Sequence, residues 1–359
     1  MDFATRPNKY NVKIHFAHRT FRWSSQARGK AAVHCVIIGF GLEGPQNPEL
    51  YDYLTPESPA HKESVKRINP YLVDAPDVLL FNRNKPLGDV PSIKIGNKPI
   101  DDGNYLFYQK EMEDFVKKEP AASKWMRPWL GAEEFINRIP KFVLWLGDCP
   151  PEELRQMPLV MQRVEAVKAY RSSRDSIPTV KLAATPTRFH VENIPNSDVI
   201  LIPRHSSISR QYIPMGFVTK DFLIGDSCLV AINATPYHFG IMESGMHMAW
   251  VRYVCGRLKS DYRYSAGVVY NNFPWPSPTE KQKSAIERAA QGVLDARALY
   301  PKSSLADLYD PLTMPKELVK AHQDLDAEVE KAYGKRFSSD ADRVAFLFGE
   351  YQRLTSSNP

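Results

Sequence analysis

The sequence predicts an α+β protein with strands at its beginning and in its middle and helices at its end. Two β-rich runs, at 11–23 and 31–40, flank a polar turn and predict a hairpin, the second run being almost wholly apolar. Residues 276–359 instead carry apolar side chains at helical spacing, with Thr279 and Asp340 as candidate N-caps. This last pattern predicts three amphipathic helices packed as a small bundle.

These patterns divide the chain into three parts, residues 1–45, 46–275 and 276–359. A pair of strands is not stable by itself, so the hairpin of the first part must pack on an element that lies elsewhere in the chain or outside this sequence, and we expect the second. The middle part is expected to hold a mixed sheet among long loops. The third part is the helical bundle.

The middle part begins Pro-rich and irregular, from about 46 to 130, and becomes dense in short β-rich runs over 187–239. A helix is predicted over 151–174, because Pro and acidic residues open this segment and basic residues close it. A second, mostly apolar helix is predicted over 241–258. The middle part is therefore expected to mix strands, helices and loops.

Composition argues for an ordinary globular chain and against several other classes. Of the 359 residues, 43% are hydrophobic and 25% charged. No apolar run approaches the roughly 18 to 20 residues of a membrane span and the N-terminus has no signal-peptide pattern, so a cytoplasmic location without a membrane partner is expected. The four cysteines include no C-x-x-C pair and the histidines are scattered. We therefore assign no metal-binding and no catalytic residue from the sequence.

The distribution of charge is more informative than the net charge of +6. Residues 1–45 hold seven Lys/Arg against two acids, and residues 163–263 hold thirteen against eight. Two basic segments in a nearly neutral chain suit a groove for a polyanion, because neutralising phosphates releases counterions and drives binding. The alternative is a solvated surface with uneven charge.

The segment Gly39-Phe-Gly41-Leu-Glu-Gly44 has the G-x-G-x-x-G spacing of a dinucleotide-binding loop and follows a predicted strand. Such a loop must open a helix whose N-terminus faces the phosphates. Pro45 and Pro48 follow at once and oppose a helix. The spacing therefore favours an irregular exit from the strand over a cofactor site.

Residues 256–265, GRLKSDYRYS, are the best functional candidates. In an extended segment Lys259, Asp261 and Arg263 would lie on one face and the tyrosines on the other. Lys can donate to guanine and Asp can accept from the cytosine amine, so Lys259 and Asp261 suit one G·C pair, with Arg263 on a neighbouring guanine or phosphate. The alternative is a surface ladder of ion pairs.

Other basic and hydroxyl side chains are candidates for contacts with the DNA backbone or for secondary contacts. Ser207 and Arg210 belong to the segment RHSSISRQYIPM at 204–215, whose composition also fits a turn entering a strand. Arg171 and Arg174 close the helix predicted over 151–174, and exposed helix charge is the alternative there. The remaining candidate of this kind is Arg257.

Several stretches of the chain together carry a resemblance to a known family. The most distinctive is ESGMHMAWVRYVCGRLKSDYRYSAGVVYNNFPWP at 243–276. The others are IHFAHRTFRWSSQARGKAAVHCVIIGFG at 14–41, GNKPIDDGNYL at 96–106, GAEEFINRIPKFVLWL at 131–146, IPRHSSISRQYIPMGF at 202–217 and the final helices. With them the chain resembles, nearly from end to end, the MmeI-like (Type IIL) single-chain restriction and modification enzymes.

In such enzymes a nuclease and a Rossmann-like methyltransferase domain precede a target recognition domain and a helical C-terminal region. The resemblance implies that the first part of the chain is a remnant hairpin, the last two strands of the methyltransferase sheet, and that the second part is the target recognition domain. It also implies that Lys259, Asp261 and Arg263 occupy base-reading positions. Its expected partners are double-stranded DNA and the upstream methyltransferase domain, possibly with a nuclease, of the same polypeptide.

The resemblance implies that the parent protein is an adenine-specific DNA methyltransferase that uses S-adenosylmethionine. The cofactor motif and the Asn-Pro-Pro-aromatic tetrad that holds the flipped adenine should lie N-terminal to this sequence, in which the only Pro-Pro pair is Pro150-Pro151. A fragment that supplies specificity, without catalysis or a cofactor of its own, is therefore expected. Ile208-Ser209 departs from the family's Ser-Ser-Glu-Arg pattern. The alternative is a stand-alone DNA-binding specificity subunit that acts with a separate methylase.

Overall fold

The computed structural model describes residues 12–23, 33–53, 55 and 57–356. Within these ranges the chain has the α+β arrangement that the sequence predicts, with four small sheets and a helical C-terminal region. None of the helices in these ranges combines the length and apolar character that a membrane span requires.

The first sheet has four strands in the order β2-β1-β3-β4. They are β1 Lys13–Trp23, β2 Val33–Gly41, β3 Glu49–Tyr53 and β4 Ala60–Ser64. β1 and β2 pair antiparallel, which confirms the predicted hairpin, and β3 lies parallel to β1. The sheet thus continues past residue 45, where the sequence analysis ended the first part. Its third and fourth strands were missed because they lie in Pro-rich surroundings.

The glycine spacing at 39–44 is explained by the sheet. Gly39 and Gly41 lie inside β2, and the next regular element after Gly44 is the strand β3 instead of a helix. A Cβ on Gly39 would stand 2.0 Å from a ring carbon of Phe16 on β1, so the glycine allows close packing of the two strands. The segment therefore leaves the strand without opening a helix, as Pro45 and Pro48 predict.

β2 forms one edge of this sheet and exposes many apolar side chains. The exposed fraction of these side chains ranges from 38% to 68% in Val36, Ile37, Ile38 and Phe40 of β2 and in Leu42, which follows the strand. Large contiguous apolar surface on a sheet edge marks a place where another element packs. The edge is therefore suited to pairing with further strands.

Asp52, His61 and Glu63 bring three potential metal ligands close together on β3 and β4. However, the guanidinium of Arg19 lies between the two carboxylates and donates to Asp52 at 2.6 Å and to Glu63 at 2.9 Å. Since a side-chain cation already neutralises the acids, this cluster is an ion-pair network.

The middle of the chain holds the other three sheets. One has the order β12-β7-β8-β6, another β11-β9-β13-β5, and a three-stranded sheet has the order β10-β15-β14. Their strands are β5 Ile93–Ile95, β6 Leu106–Tyr108, β7 Met126–Leu130, β8 Lys141–Leu144, β9 Val199–Pro203, β10 His205–Ser206, β11 Gly216–Val218, β12 Leu223–Ile224, β13 Cys228–Ile232, β14 Gly256–Leu258 and β15 Asp261–Arg263. β9 and β13 are buried almost throughout, as their apolar runs predict.

Five α-helices lie between β6 and β9 along the chain. They are α1 Gln109–Lys118, α2 Ala132–Asn137, α3 Pro151–Leu154, α4 Pro158–Ser172 and α5 Ile177–Lys181. The helix predicted over 151–174 is thus two helices. Pro158 lacks the N–H that would continue α3 and stands at the first position of α4, where no donor is needed.

Arg171 of α4 is fully buried, which corrects the expectation that it contacts phosphates. Its Nε donates to the carbonyl of Ile100, Nη1 to those of Leu182 and Thr185, and Nη2 to those of Pro99 and Arg188. All five N–H donors of the guanidinium are therefore used inside the protein. The sequence could not separate this anchor from exposed helix charge because both appear as Arg near a helix C-terminus.

The apolar helix predicted over 241–258 is also divided. α6 Pro236–Met242 ends before Ser244, whose side chain caps α7 Gly245–Val254. Within α7, His247 is fully buried, shares a 2.8 Å hydrogen bond with the hydroxyl of Tyr264 and meets the ring of Phe273 edge-on. Burial lowers the pKa of His247 to about 3.

The C-terminal helices confirm the predicted bundle. They are α8 Glu280–Ala298, the short α9 Leu305–Leu308, α10 Lys316–Ala332 and α11 Asp340–Ser356. Thr279 caps α8 as predicted. The predicted cap at Asp340 was wrong: at the start of α11 the Oγ of Ser339 accepts the N–H of Asp342, and Asp340 pairs with arginines. Side chains of these helices share one core with β9, β13, α6 and α7, so residue 276 does not begin a separate core.

We predict that Arg171→Met lowers the free energy of unfolding by on the order of 3 to 5 kcal/mol, because several enclosed carbonyls lose their donor. Urea denaturation measures this. Arg174→Met is the matched control: Arg174 follows α4, is exposed and lies over the Tyr170 ring at 4.0 Å, so its removal should cost less than about 1 kcal/mol. Equal losses in the two variants would contradict the anchoring role of Arg171.

We predict that His247 makes the protein sensitive to acid. The unfolded chain binds a proton on this imidazole below its ordinary pKa of 6.5, and the folded chain does so only near 3, so stability falls as the pH drops through this window. The slope from one such group is about 1.4 kcal/mol per pH unit. His247→Gln should flatten the pH dependence of urea unfolding by that amount, and the exposed His190→Gln should not. An unchanged slope in His247→Gln would show that His247 is not held neutral.

Candidate nucleic-acid interface

The segment GRLKSDYRYS forms a hairpin instead of the single extended segment that was expected. β14 and β15 pair antiparallel, with Leu258 opposite Asp261, so the chain reverses at Lys259 and Ser260. Lys259 has φ 57°, in the left-handed region that non-glycine residues seldom adopt. Lys259 is therefore at the tip of the hairpin, and only Asp261 and Arg263 share a strand face. This turn lacks the glycine or asparagine that usually marks a two-residue hairpin loop, so it could not be predicted from local residue types.

Within β15 the alternation of side chains is as predicted. Asp261 and Arg263 are exposed, whereas Tyr262 is 2% exposed and Tyr264 is fully buried. The tyrosines attach the strand to the main core, and the charged residues are left free to face solvent or a ligand. A rigid strand with an apolar inner face can hold such side chains in place for recognition.

Arg257 is exposed and lies opposite Tyr262 in the register of the hairpin. Its guanidinium covers the Tyr262 ring at 4.0 Å and donates to the carbonyls of Ser260, at 3.1 Å, and Arg252, at 2.9 Å. Arg257 therefore supports the turn of the hairpin, and a contact with the DNA backbone stays a prediction for its exposed side chain.

The structure brings the second candidate segment against the hairpin. β10 pairs with β15, so that His205 lies opposite Arg263 and Ser206 opposite Tyr262. Beyond β10, the N–H of Ile208 donates to the carboxylate of Asp261 at 3.2 Å. Two segments that the sequence analysis selected separately are therefore one surface.

The turn that follows β10, residues 207–210, is closed by its own hydroxyls. The Oγ atoms of Ser207 and Ser209 are 2.9 Å apart, and the N–H of Arg210 donates to the carbonyl of Ser207 at 3.2 Å. Arg210 is half-buried, and this desolvation lowers its pKa although Asp261 and Asp310 oppose the effect. A partly desolvated guanidinium forms strong bonds with an incoming phosphate or base edge.

The electrostatics of this surface favour an anion. The surface combines one acid, Asp261, with Arg204, Arg210, Lys259 and Arg263. Partial desolvation and the two nearby arginines, Arg204 and Arg263, lower the pKa of His205, which favours the neutral ring. We call the three strands β10, β14 and β15, with the 207–210 turn, the recognition sheet.

A cavity of about 520 Å³ opens beside the recognition sheet. His205 and Arg210 line one side, Glu133 and Asn137 of α2 another, and the turn at Asp226 and Ser227 a third. Arg204 connects this turn to the sheet by donating from Nη1 to the carbonyl of Asp226 at 2.9 Å. These acidic and amide groups could not be predicted as part of the site, because α2 and the Asp226 turn meet the recognition sheet only in the tertiary fold.

The candidates on α4 lie apart from the recognition sheet. Arg171 is used inside the protein, as described above, and α4 packs on the core around β7 and β8. Arg174, which follows α4, is exposed, and its guanidinium lies over the ring of Tyr170. The structure therefore brings together Lys259, Asp261, Arg263, Ser207 and Arg210 and leaves Arg174 as a separate prediction.

Comparison with known proteins gives consistent matches along the chain. Residues 74–277 match the family model for the MmeI target recognition domain, 278–357 the model for the MmeI C-terminal domain, and 5–52 the model for the MmeI DNA-methyltransferase domain. DNA methyltransferase A of Bacillus subtilis (strain 168) is 39% identical over 348 residues, which are 97% of this chain and 39% of that protein.

A solved structure of the Type IIL restriction-modification enzyme MmeI in complex with DNA is also similar. It has a TM-score of 0.91 and 46% sequence identity over 96% of this chain and 46% of the MmeI chain. The chain thus spans less than half the length of either relative. The chain belongs to the MmeI family of restriction-modification DNA methyltransferases.

Proposed function

We propose that this chain is the sequence-reading part of an adenine-specific (N6) DNA methyltransferase and binds double-stranded DNA through the recognition sheet. The observation that carries this proposal is the convergence of Lys259, Asp261, Arg263 and Arg210 on one exposed, basic surface backed by a rigid core. The relatives support it, since one is named a DNA methyltransferase and another is solved in complex with DNA.

The geometry gives each side chain a role. Asp261 can accept from the amine of a cytosine while Lys259, at the tip, donates to the guanine of the same pair. Arg263 is two residues along the strand, or about 6.6 Å. Since base pairs rise by about 3.4 Å, Arg263 addresses a guanine about two steps away instead of the adjacent pair. Ser207 and Arg210 supply secondary contacts from the turn, and Arg174 a separate contact with the backbone.

The methyl-transfer chemistry belongs, in this proposal, to other residues of a longer polypeptide. S-adenosylmethionine is the methyl donor that the family implies, but the described residues do not fit it: the glycines of β2 face Phe16 and His15 side chains and open no helix. The exposed apolar edge of β2 supports continuation of the sheet into a methyltransferase domain. We therefore derive no catalytic step from this chain.

The first prediction is salt-sensitive binding of duplex DNA. Each phosphate contact contributes about −0.9 to the slope of log K against log salt. Arg210→Ala should therefore lower the magnitude of the slope by about 1, as measured by fluorescence anisotropy over a series of salt concentrations. Arg288→Ala, an exposed arginine on α8, is the matched control and should leave the slope unchanged. Equal slopes in all three proteins would argue against phosphate contact by Arg210.

The second prediction is a change of specificity. Exchanging Lys259→Glu together with Asp261→Arg reverses the donor and acceptor at the tip, so the preferred base pair at one position should change from G·C to C·G, each contact being worth about 1 to 3 kcal/mol. Sequencing of methylated adenines in DNA from cells that carry the altered full-length gene measures this. The reverse-charge pair Lys320→Glu with Asp324→Lys on α10 is the control. Methylation at the original site by the 259/261 variant would refute the base-reading roles.

A further inference from the structure

The residues that follow the 207–210 turn are held by helices of the C-terminal region. Tyr212 is 2% exposed, donates its hydroxyl to Asp326 of α10 at 2.7 Å, and stacks on His322 of the same helix with centroids 3.9 Å apart. Asp326 also accepts the N–H of Gly245 at the start of α7, at 2.6 Å. The end of the turn is thus fixed to α10 and to α7 together.

A second connection runs through Arg252 of α7. Its Nη2 donates to the carbonyl of Gln211 at 2.6 Å, and its Nη1 pairs with Asp340 at the start of α11. Its own carbonyl accepts from Arg257, which supports the hairpin. Asp340 is in turn held by Arg343, whose guanidinium also pairs with Glu330 of α10. Arg252 therefore connects the turn, the hairpin and two C-terminal helices.

We infer that Asp326 and Asp340 are positioning residues for DNA recognition, acting through Tyr212 and Arg252 to set where the recognition sheet and its turn stand against the duplex. This inference rests on the proposed function. It gives the C-terminal helices a part in specificity although the two aspartates need not touch DNA.

The physical basis is the different tolerance of the two kinds of DNA contact. Reading a base edge requires side chains placed within about 0.5 Å, whereas attraction to phosphates varies gradually with distance. A contact that moves the turn by a small amount should therefore weaken binding to the correct site and leave nonspecific binding nearly unchanged. Both connections are sheltered enough to hold such a placement, because Tyr212 is buried and the side chains of Arg252 and Asp340 are only 26% and 31% exposed.

The test compares two duplexes that differ by one base pair: the site found by methylation sequencing and a variant of it. Tyr212→Phe removes the hydroxyl and keeps the ring stacked on His322, so the full-length protein should fold. We expect the Kd for the correct site to rise about three- to tenfold and the Kd for the variant site to change less than twofold. Asp340→Asn, which weakens the other connection, should act in the same direction.

Asp324→Asn is the matched control for the α10 connection, since Asp324 is exposed on the same helix and pairs with Lys320. It should change neither Kd. A double-mutant cycle tests the route: in an Asp261→Ala background, Tyr212→Phe should change the Kd for the correct site less than twofold, because the base contact that the turn positions through the Ile208 N–H is already gone. Binding measurements at pH 8 keep Asp326 ionised, since burial raises its pKa to about 6.

The outcomes separate this inference from the proposed function. Loss of discrimination in Tyr212→Phe and Asp340→Asn, with both duplexes bound normally by Asp324→Asn, supports positioning. An equal effect on both duplexes, or none, would overturn positioning and leave the proposed function in place. Absence of salt-sensitive duplex binding by the unaltered protein would overturn the proposed function and the positioning role with it.

Discussion

The burial of α7 on all sides is the constraint on which the rest of the molecule depends. Eight of its ten residues are buried, so it must be covered all round. Trp250 packs against Phe348 and Tyr351 of α11 and donates its indole N–H to the carbonyl of Val269 at 2.9 Å. Because β14 begins two residues after α7 ends, this packing also fixes the base of the hairpin.

A buried ion pair sets the position of α8 in the same way. Arg297 of α8 meets Glu243 at 3.0 Å, donates to the carbonyl of Met215 and to the hydroxyl of Tyr309, and Glu243 accepts the N–H of Met215. Charges so enclosed contribute little net stability, because desolvation opposes their attraction. Their hydrogen bonds are directional, however, and join α8 to Met215, the residue before β11.

Much of the architecture could be predicted from the sequence, because hydrophobic periodicity and helix-end signals are local properties. The N-terminal hairpin, the apolar strands β9 and β13 and the C-terminal bundle are of this kind. The errors arose where one local pattern fits two structures. Lys259 looked like part of a strand and is a turn residue, and Arg171 looked like surface charge and is an internal anchor.

The candidate site was predictable in part for a related reason. Residue types and their alternation selected Asp261 and Arg263, but the pairing of β10 with β15 depends on strands more than fifty residues apart. The Asp226 turn and the contacts from α10 and α11 also depend on the tertiary fold, which no spacing along the chain encodes. The family resemblance supplied the domain order that the residues alone left open.

The tip of the hairpin has a consequence for how this protein can diversify. The side chains of Lys259, Asp261 and Arg263 are exposed, and the hydrogen bond described for them is the one that the carboxylate of Asp261 accepts from the Ile208 N–H. Exchanges there cost little folding free energy, since surface substitutions usually change it by less than about 0.5 kcal/mol. Under the proposed function, new target sequences are therefore open to such a scaffold through a few exchanges at the tip, while the buried helix beneath it stays as it is.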